Sequence, residues 1–513
     1  HWVYFFYSPK GDEAKQHVSR FRLESDSLYL ASEKVLLEIA TQREECCHSA
    51  GSLEFGPEGN LFISVGDNTN PHESDGFGPI DERDGRSPFD AQKSSANTQD
   101  LRGKILRIKP EADGAYSIPD GNLFADSSEG RPEIYIMGNR NPFRFSIDDR
   151  DGTLYWGEVG PDAREDSTGR GPRGYDEINM ARTAGNYGWP YFIADNKPYH
   201  DYNFAAEQNG KKFTPEEPTN DSPNNSGAKK LPPARPALVY YPYAESEEFP
   251  LLGSGSRNAM AGPVYYSEDY ADSDRKFPDY FDGKPLFYDW MRQWIFAASI
   301  NEDGSLEKMS PFLSGMEFSN IIDMQYGPDG ALYLLEYGSG WYSQNPDAKL
   351  SRIEFTEGNR APLAKIEADK TIGGVPMTVQ FAGRNSLDYD GDPLSFAWSF
   401  NGQEIQSTEA NPKFTFEEPG VYKVKLEVQD EEGLKSSTET EIMVGNEMPQ
   451  LSWDIRSGNR TFFWPDSPLE LAYAVNVRDA EDGSLTDGSI SPERVIVSFD
   501  YLPQGHDQVM AAK

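Results

Sequence analysis

The chain has 513 residues, with 48 Lys and Arg against 85 Asp and Glu, and a formal net charge of −37. Such a surface repels nucleic-acid phosphates and anionic membranes instead of docking on them. At 37% hydrophobic and 13% aromatic residues it can still bury large cores, yet it contains no run of 18 apolar residues that would cross a bilayer as a helix.

The two cysteines are adjacent, Cys46 and Cys47, which excludes a disulfide framework and a Cys-rich zinc site. No Cys-x-x-Cys-His occurs, so no c-type haem attaches within these residues. The chain opens on His1-Trp2-Val3-Tyr4-Phe5-Phe6-Tyr7, which reads as a buried strand with no start methionine or secretory h-region before it. It is expected to be a piece of a longer protein or a processed product. The length suggests two to four domains at roughly 100–200 residues each.

Short apolar runs bounded by Gly, Asp and Pro then dominate, and one unit recurs. It is seen in Leu53-Glu54-Phe55-Gly56-Pro57-Glu58-Gly59-Asn60-Leu61-Phe62-Ile63, in Phe145-Ser146-Ile147-Asp148-Asp149-Arg150-Asp151-Gly152-Thr153-Leu154-Tyr155-Trp156, and in Met324-Gln325-Tyr326-Gly327-Pro328-Asp329-Gly330-Ala331-Leu332-Tyr333-Leu334. Each reads as a hairpin whose glycine supplies the positive φ of the turn. Hairpins repeated at wide spacing through about 350 residues predict a β-propeller. The polar insertions 68–100 and 195–231 are long enough to be functional.

Composition shifts near Glu357-Gly358-Asn359-Arg360-Ala361-Pro362. Beyond it Met377–Phe381, Leu394–Phe400, Lys413–Phe416 and Tyr422–Val428 alternate in a tighter rhythm, as the short strands of a β-sandwich do. Asn446-Glu447-Met448-Pro449 opens a third β-rich stretch. The expected fold class is all-β: a six-bladed propeller over 1–357 with its first blade truncated, an immunoglobulin-like sandwich over 362–446, and an incomplete β-rich segment over 447–513.

Asp388-Tyr389-Asp390-Gly391-Asp392-Pro393-Leu394, Trp398 and Phe416-x3-Gly420-x-Tyr422 resemble a polycystic-kidney-disease (PKD) domain; the alternating aspartates are structural in such domains. Over the first 355 residues the chain resembles the glucose/sorbosone dehydrogenase family. The motifs are His48-Ser49-Ala50-Gly51-Ser52-Leu53…Gly66-Asp67, Asn97…Arg102-Gly103-Lys104-Ile105-Leu106-Arg107-Ile108, Gly138-Asn139-Arg140-Asn141-Pro142, and Gly160-Pro161…Asp176-Glu177-Ile178-Asn179…Gly185-Asn186-Tyr187-Gly188-Trp189-Pro190. The resemblance implies a sugar dehydrogenase using pyrroloquinoline quinone (PQQ) and Ca²⁺. It further implies a periplasmic or cell-surface bacterial location, and a c-type cytochrome as electron acceptor on the same longer chain. In that family the catalytic histidine lies in the second blade, further from the start than 48 residues, so much of a first blade is expected outside this chain.

Oxidising a sugar hydroxyl needs a base for the O–H proton while hydride leaves carbon. Histidine suits that role, with an unperturbed pKa near ~6.5. His48 precedes a strand-turn-strand unit and Asp67 follows it, so Asp67 is the expected orienter of the imidazole. Arg140 is the expected electrostatic stabiliser, with Arg140 and Asn141 in contact with the cofactor. Carbonyls of Gly160 and Pro161 are implied to hold the calcium that bridges to PQQ. Glu177 and Tyr187 match a second, structural calcium site, with Asp176 as a neighbour.

The sequence also departs from the family. Two arginines that would grip the PQQ carboxylates are replaced by Asn320-Ile321-Ile322-Asp323. Arg257 and Arg292 are the cations left to fill that role. Cys46-Cys47 can be a vicinal disulfide, two buried thiols or a Cys/His metal-ligand pair. Phe77, Phe89, Tyr199 and Trp341 are loop aromatics able to stack on sugars or simply to pack. Two rival functions stand beside sugar oxidation: a non-redox glycan-binding or scaffold propeller, and a calcium-assisted lyase or hydrolase that reuses His48.

Overall fold

The computed structural model describes every residue except 274, 341–344, 403–404, 448, 456–472, 480–481, 496–498, 502–509 and 513. Regular structure among the described residues is strand, with only single turns of 3-10 helix. The chain divides into two units, His1–Phe355 and Thr356–Lys513.

Five main sheets follow one another in the first unit, antiparallel in the strands named below; Gly185–Asn186 adds a parallel edge to Ile134–Met137 of the second. The first is Trp2–Tyr7, Lys15–Glu24 and Ser27–Ala40; the second is Ala50–Phe55, Leu61–Val65, Lys104–Pro110 and Ile134–Met137. The third is Pro142–Ile147, Leu154–Glu158, Asp176–Ala181 and Val239–Tyr241; the fourth is Ala259–Tyr265, Lys284–Asp289, Ile295–Ile300 and Leu306–Phe312. Ile321–Tyr326, Leu332–Glu336 and Lys349–Ile353 make the fifth. Each of the three recurring sequence units forms the leading hairpin of a sheet, with Gly59, Gly152 and Gly330 at φ of 74°, 74° and 77°.

Inner strands such as Leu61–Val65 and Leu154–Glu158 are buried at every position. Alternate side chains of a strand point to opposite faces, so continuous burial requires a layer on each side. The contacts provide it. Phe62, Ile105 and Tyr135 of the second sheet pack on Ile147, Leu154 and Trp156 of the third, while Leu61, Ile63 and Leu106 pack on Val18, Leu37 and Ile39 of the first. Tyr155 and Ile178 face Ala261 and Phe287 of the fourth sheet, whose alternate residues Met260, Leu286 and Tyr288 meet Met324, Leu332 and Leu334 of the fifth. Truncating a fully buried side chain in such a stack, Trp156 for example, costs about 3–5 kcal/mol.

The leading strand of each sheet packs on the leading strand of the next, from Trp2–Tyr7 through to Ile321–Tyr326. Because the sheets are antiparallel meanders, the start of each leading strand and the end of its partner lie at one end of the stack. Loops bearing positions 48, 67, 140, 160, 257 and 292 all leave from that end. Six blades were expected; among the described residues of this unit there are five sheets of three or more strands and two two-stranded ones, and no sheet closes on itself.

In the second unit, Met377–Ala382 pairs with Glu367–Ala368 and Lys413–Phe416, while Ser395–Phe400, Gly420–Gln429, Lys435–Val444 and Ile372–Gly373 form a second sheet. Their inner faces share one core of Trp398, Phe381, Phe400, Phe416, Val424 and Leu426, which makes a β-sandwich. Asp388 accepts backbone N–H bonds from Asp390, Gly391 and Asp392, as a turn-forming aspartate does. Gln450–Ile455 then pairs with Tyr473–Asp479, and Phe499–Tyr501 with Met510–Ala512.

Candidate active site

His48 lies in the turn that enters the second sheet, in a left-handed conformation at φ 53°. A non-glycine residue held there marks a turn that its surroundings over-determine. Gly66 helps to hold it: a Cβ at that position would sit 2.1 Å from the His48 carbonyl oxygen. Asn141 also helps, because its Oδ1 accepts from Ala50 N at 3.0 Å. The Asn141 side-chain oxygen is thus spent on positioning the turn.

His48 Nδ1 is 2.7 Å from Asp67 Oδ1. The carboxylate can only accept, so Nδ1 carries the proton and Nε2 is left with its lone pair. Asp67 is fully buried; its Oδ2 accepts from Trp189 Nε1 at 2.9 Å, and Thr69 N donates to Oδ1 at 2.9 Å. Burial lowers the His48 pKa from 6.5, and the nearby Arg140 lowers it further against the opposing pull of Asp67. The imidazole is therefore neutral at neutral pH and able to accept a proton.

Arg140 comes from the turn entering the third sheet. Asp67 N donates to the Arg140 carbonyl at 2.8 Å, so the two turns are joined directly. Arg140 N donates to the Glu158 carboxylate at 2.7 Å, as does Asn141 N. The Arg140 guanidinium gives Nη1 to Val159 O at 2.9 Å and lies 3.7 Å from Asp162 Oδ2. Burial opposes ionisation of Asp162, but Arg140 and a 2.8 Å hydrogen bond from Tyr243 keep its pKa below the ordinary value. Trp189, Asp162, Tyr243 and Glu158 were not expected at the site. Trp189 lies in the Gly185–Pro190 motif, and Glu158 is an acid inside an otherwise apolar buried strand.

Arg292 does not present a free cation: its guanidinium donates to the carbonyls of Ser256, Leu252, Gly253, Pro242 and Gly255. Arg257 donates to Asp176 Oδ1 and to the carbonyl of Pro161. That takes both a cation from any cofactor and an oxygen from any calcium. Asp176 has its other oxygen on Ala259 N at 2.9 Å, and Gly160 N donates to Oδ1 at 3.0 Å. The Tyr187 hydroxyl is bonded to Met180 O at 2.5 Å.

Asp176 and Glu177 are successive strand residues and so face opposite sides. Glu177 is the register partner of Glu158 across the third sheet. Its oxygens accept from Asn179 Nδ2 and Ala194 N, and burial raises its pKa to about 7. Glu158 Oε2 is buried with no hydrogen-bond partner, and burial holds its pKa well above the ordinary value.

The loop aromatics pack inward. Phe77 and Tyr199 join Ala163, Trp189 and Ile193 in a core under the site, and Phe89 is buried. Trp341 lies outside the described residues. The insertions 68–100 and 195–231 clasp each other: Ser222 and Asn224 both donate to Asp90 Oδ2, and Asn220 to the carbonyls of Gln92 and Ala96. Cys46 and Cys47 form a disulfide, with His72 Nε2 at 3.7 Å from Cys46 Sγ.

A glucose/sorbosone dehydrogenase family model matches residues 1–229, and a PKD domain model matches residues 359–444. The chain is 25% identical over 337 residues to the aldose sugar dehydrogenase YliI of Escherichia coli, covering 65% of this chain and 69% of that protein. It is 28% identical over 236 residues to the HIPL1 protein of Arabidopsis thaliana, covering 43% of this chain and 26% of the relative. It is also 26% identical over 199 residues to quinoprotein glucose dehydrogenase B of Acinetobacter calcoaceticus, covering 37% of each. The chain thus spans about a quarter of the plant relative and over a third of the Acinetobacter one. Among solved structures, the PQQ-bound form of an aldose sugar dehydrogenase from Streptomyces coelicolor superposes at a TM-score of 0.41 and 18% identity, covering 69% of this chain and 75% of that one. Residues 1–229 are thus similar to glucose/sorbosone dehydrogenases, and residues 359–444 to PKD domains.

Proposed function

We propose that the loop end of the five sheets oxidises a sugar hydroxyl, with His48 as the proton acceptor and hydride leaving the carbinol carbon for a quinone-class acceptor. One observation carries this reading: a buried, neutral imidazole is oriented by Asp67 and has the Arg140 guanidinium close enough to depress its pKa. The neutral Nε2 takes the hydroxyl proton, and Asp67 stabilises the imidazolium that forms. Arg140 stabilises the oxyanion character that develops beside it. PQQ, when bound, supplies a carbonyl that accepts the hydride and its two electrons. Of this chain's cations, Arg140 would donate to the quinone oxygens beside the His48 acceptor, whereas Arg257 and Arg292, both spent inside the protein, would hold no carboxylate.

The stacked sheets are read as blades of a propeller of the six-bladed kind. Glu158 Oε2, buried without a hydrogen-bond partner beside its cross-strand neighbour Glu177, is the oxygen here that is open to a structural calcium ion. The Cys46–Cys47 disulfide supports an oxidising, exported setting, and a c-type cytochrome is the proposed onward electron acceptor.

The spent guanidiniums favour a second reading, a sugar-binding propeller without redox chemistry. Adding PQQ and Ca²⁺ to the purified chain with a panel of aldoses and a reducible dye separates the two. Sugar-dependent dye reduction that disappears in His48→Ala supports oxidation. Sugar binding by calorimetry without dye reduction, unchanged in His48→Ala, supports the second reading.

A further inference from the structure

We propose that Arg257 is a built-in cation standing where the resemblance puts calcium, so that the site bounded by Gly160 and Pro161 works without a metal ion. Calcium takes six to eight oxygens at about 2.3–2.6 Å, and the Pro161 carbonyl and the carboxylates beside it are already engaged. The Pro161 carbonyl accepts from Arg257 Nη2, and Asp176 Oδ1 accepts from Arg257 Nη1. Asp176 Oδ2 accepts from Ala259 N, while Asp162 divides its oxygens between Tyr243 and Arg140. A divalent ion on the Pro161 carbonyl would touch the guanidinium, and like charges in contact repel.

The space is shaped for the arginine. Its side chain is 1% exposed, and its guanidinium carbon lies 4.1 Å from the centre of the Tyr243 ring. Gly174 makes the room: a Cβ there would fall 1.6 Å from Pro161 O and 2.7 Å from Arg257 Nη2. Gly160 lets the same two segments close, because its Cβ would fall 1.6 Å from the Tyr175 carbonyl oxygen. A planar group that donates to a carbonyl and a carboxylate at once is what guanidinium offers and a metal does not need. The positive charge is therefore permanent, and chelators do not remove it.

The test uses the EDTA-treated chain titrated with CaCl₂, read as thermal unfolding, in wild type, Arg257→Met and Arg257→Lys. Removing the cation from Asp176 and freeing the Pro161 carbonyl should create a calcium site. Arg257→Met is then expected to gain a saturable rise in Tm of about 3–5 °C beyond any wild-type response, whereas Arg257→Lys keeps the wild-type response. Equal calcium responses in wild type and Arg257→Met would overturn the assignment. A second measurement needs no variant: anomalous diffraction from wild-type crystals soaked in Tb³⁺ should show no ion bonded to Pro161 O. A Tb³⁺ peak there, with Arg257 displaced, would overturn it as well.

Discussion

Asp67 reaches His48 Nδ1 with one carboxylate oxygen and Trp189 Nε1 with the other, at 2.7 and 2.9 Å. The carboxylate is therefore held from two sides and cannot rotate away from the imidazole. It fixes the tautomer that leaves Nε2 free, from a buried position where its charge is strongly felt. Replacing Asp67 by Asn offers an amide that can donate to Nδ1, which favours the wrong tautomer. Asp67→Asn and His48→Gln are each expected to lower sugar-dependent turnover by about 10²–10⁴-fold with little change in KM. Steady-state dye reduction measures this.

Gly66 tests whether turn geometry, separate from chemistry, sets the rate. A Cβ at 66 would lie 2.1 Å from the His48 carbonyl oxygen and 3.0 Å from Asn141 Oδ1. Gly66→Ala must displace the His48 turn while every proposed reacting group is retained. Turnover is expected to fall by about 10²-fold, as a shift of about 1 Å produces, with an unchanged far-UV CD spectrum.

Arg292 is a brace in this account, holding five carbonyls of the 242–256 segment. Arg292→Gln should destabilise the first unit by about 1–3 kcal/mol by leaving carbonyls unpaired. PQQ affinity, measured by fluorescence quenching, should change by less than about threefold, because the side chain does not reach a ligand. A large loss of affinity without loss of stability would restore it as a cofactor contact.

Lys104 is fully buried, and its Nζ donates to the carbonyls of Ser94, Ser95 and Arg102. Burial pushes its pKa down from 10.5 to about 7. A folded-state pKa below the unfolded one gives stability that is present above pH 10.5 and lost as pH falls toward 7. Denaturant unfolding should therefore show the stability of wild type minus that of Lys104→Met, the gap between them, growing from about pH 7 to about pH 10. A gap that narrows over that range would contradict the assigned direction.

The hairpins were legible because Gly59, Gly152 and Gly330 stand at turns that need positive φ, between apolar runs of strand length. The His48–Asp67 pair was legible for the same local reason, since one hairpin separates the two residues. The partners of Arg257 and Arg292 are not legible in the sequence because they are remote in it. Asp176 and Pro161 lie 81 and 96 positions before Arg257, and no local pattern announces a guanidinium already satisfied. The inward packing of Phe77 and Tyr199 is hidden for a related reason. The two insertions clasp through Asp90, Ser222 and Asn220, which turns loop aromatics into a core. The count of six blades rests on the resemblance, and the pairing of the described strands by itself groups them into five main sheets.

The pH dependence of kcat/KM for sugar-dependent dye reduction, from about pH 4 to pH 9, tests the central claim most directly. Burial and Arg140 hold the His48 pKa below 6.5, so the wild-type acid limb should have its midpoint below 6.5. In Arg140→Gln the neighbouring cation is gone, and the midpoint should move up; in His48→Gln turnover should be lost. A limb that stays in place in Arg140→Gln, or full activity in His48→Gln, would contradict the assignment of His48 as the proton acceptor.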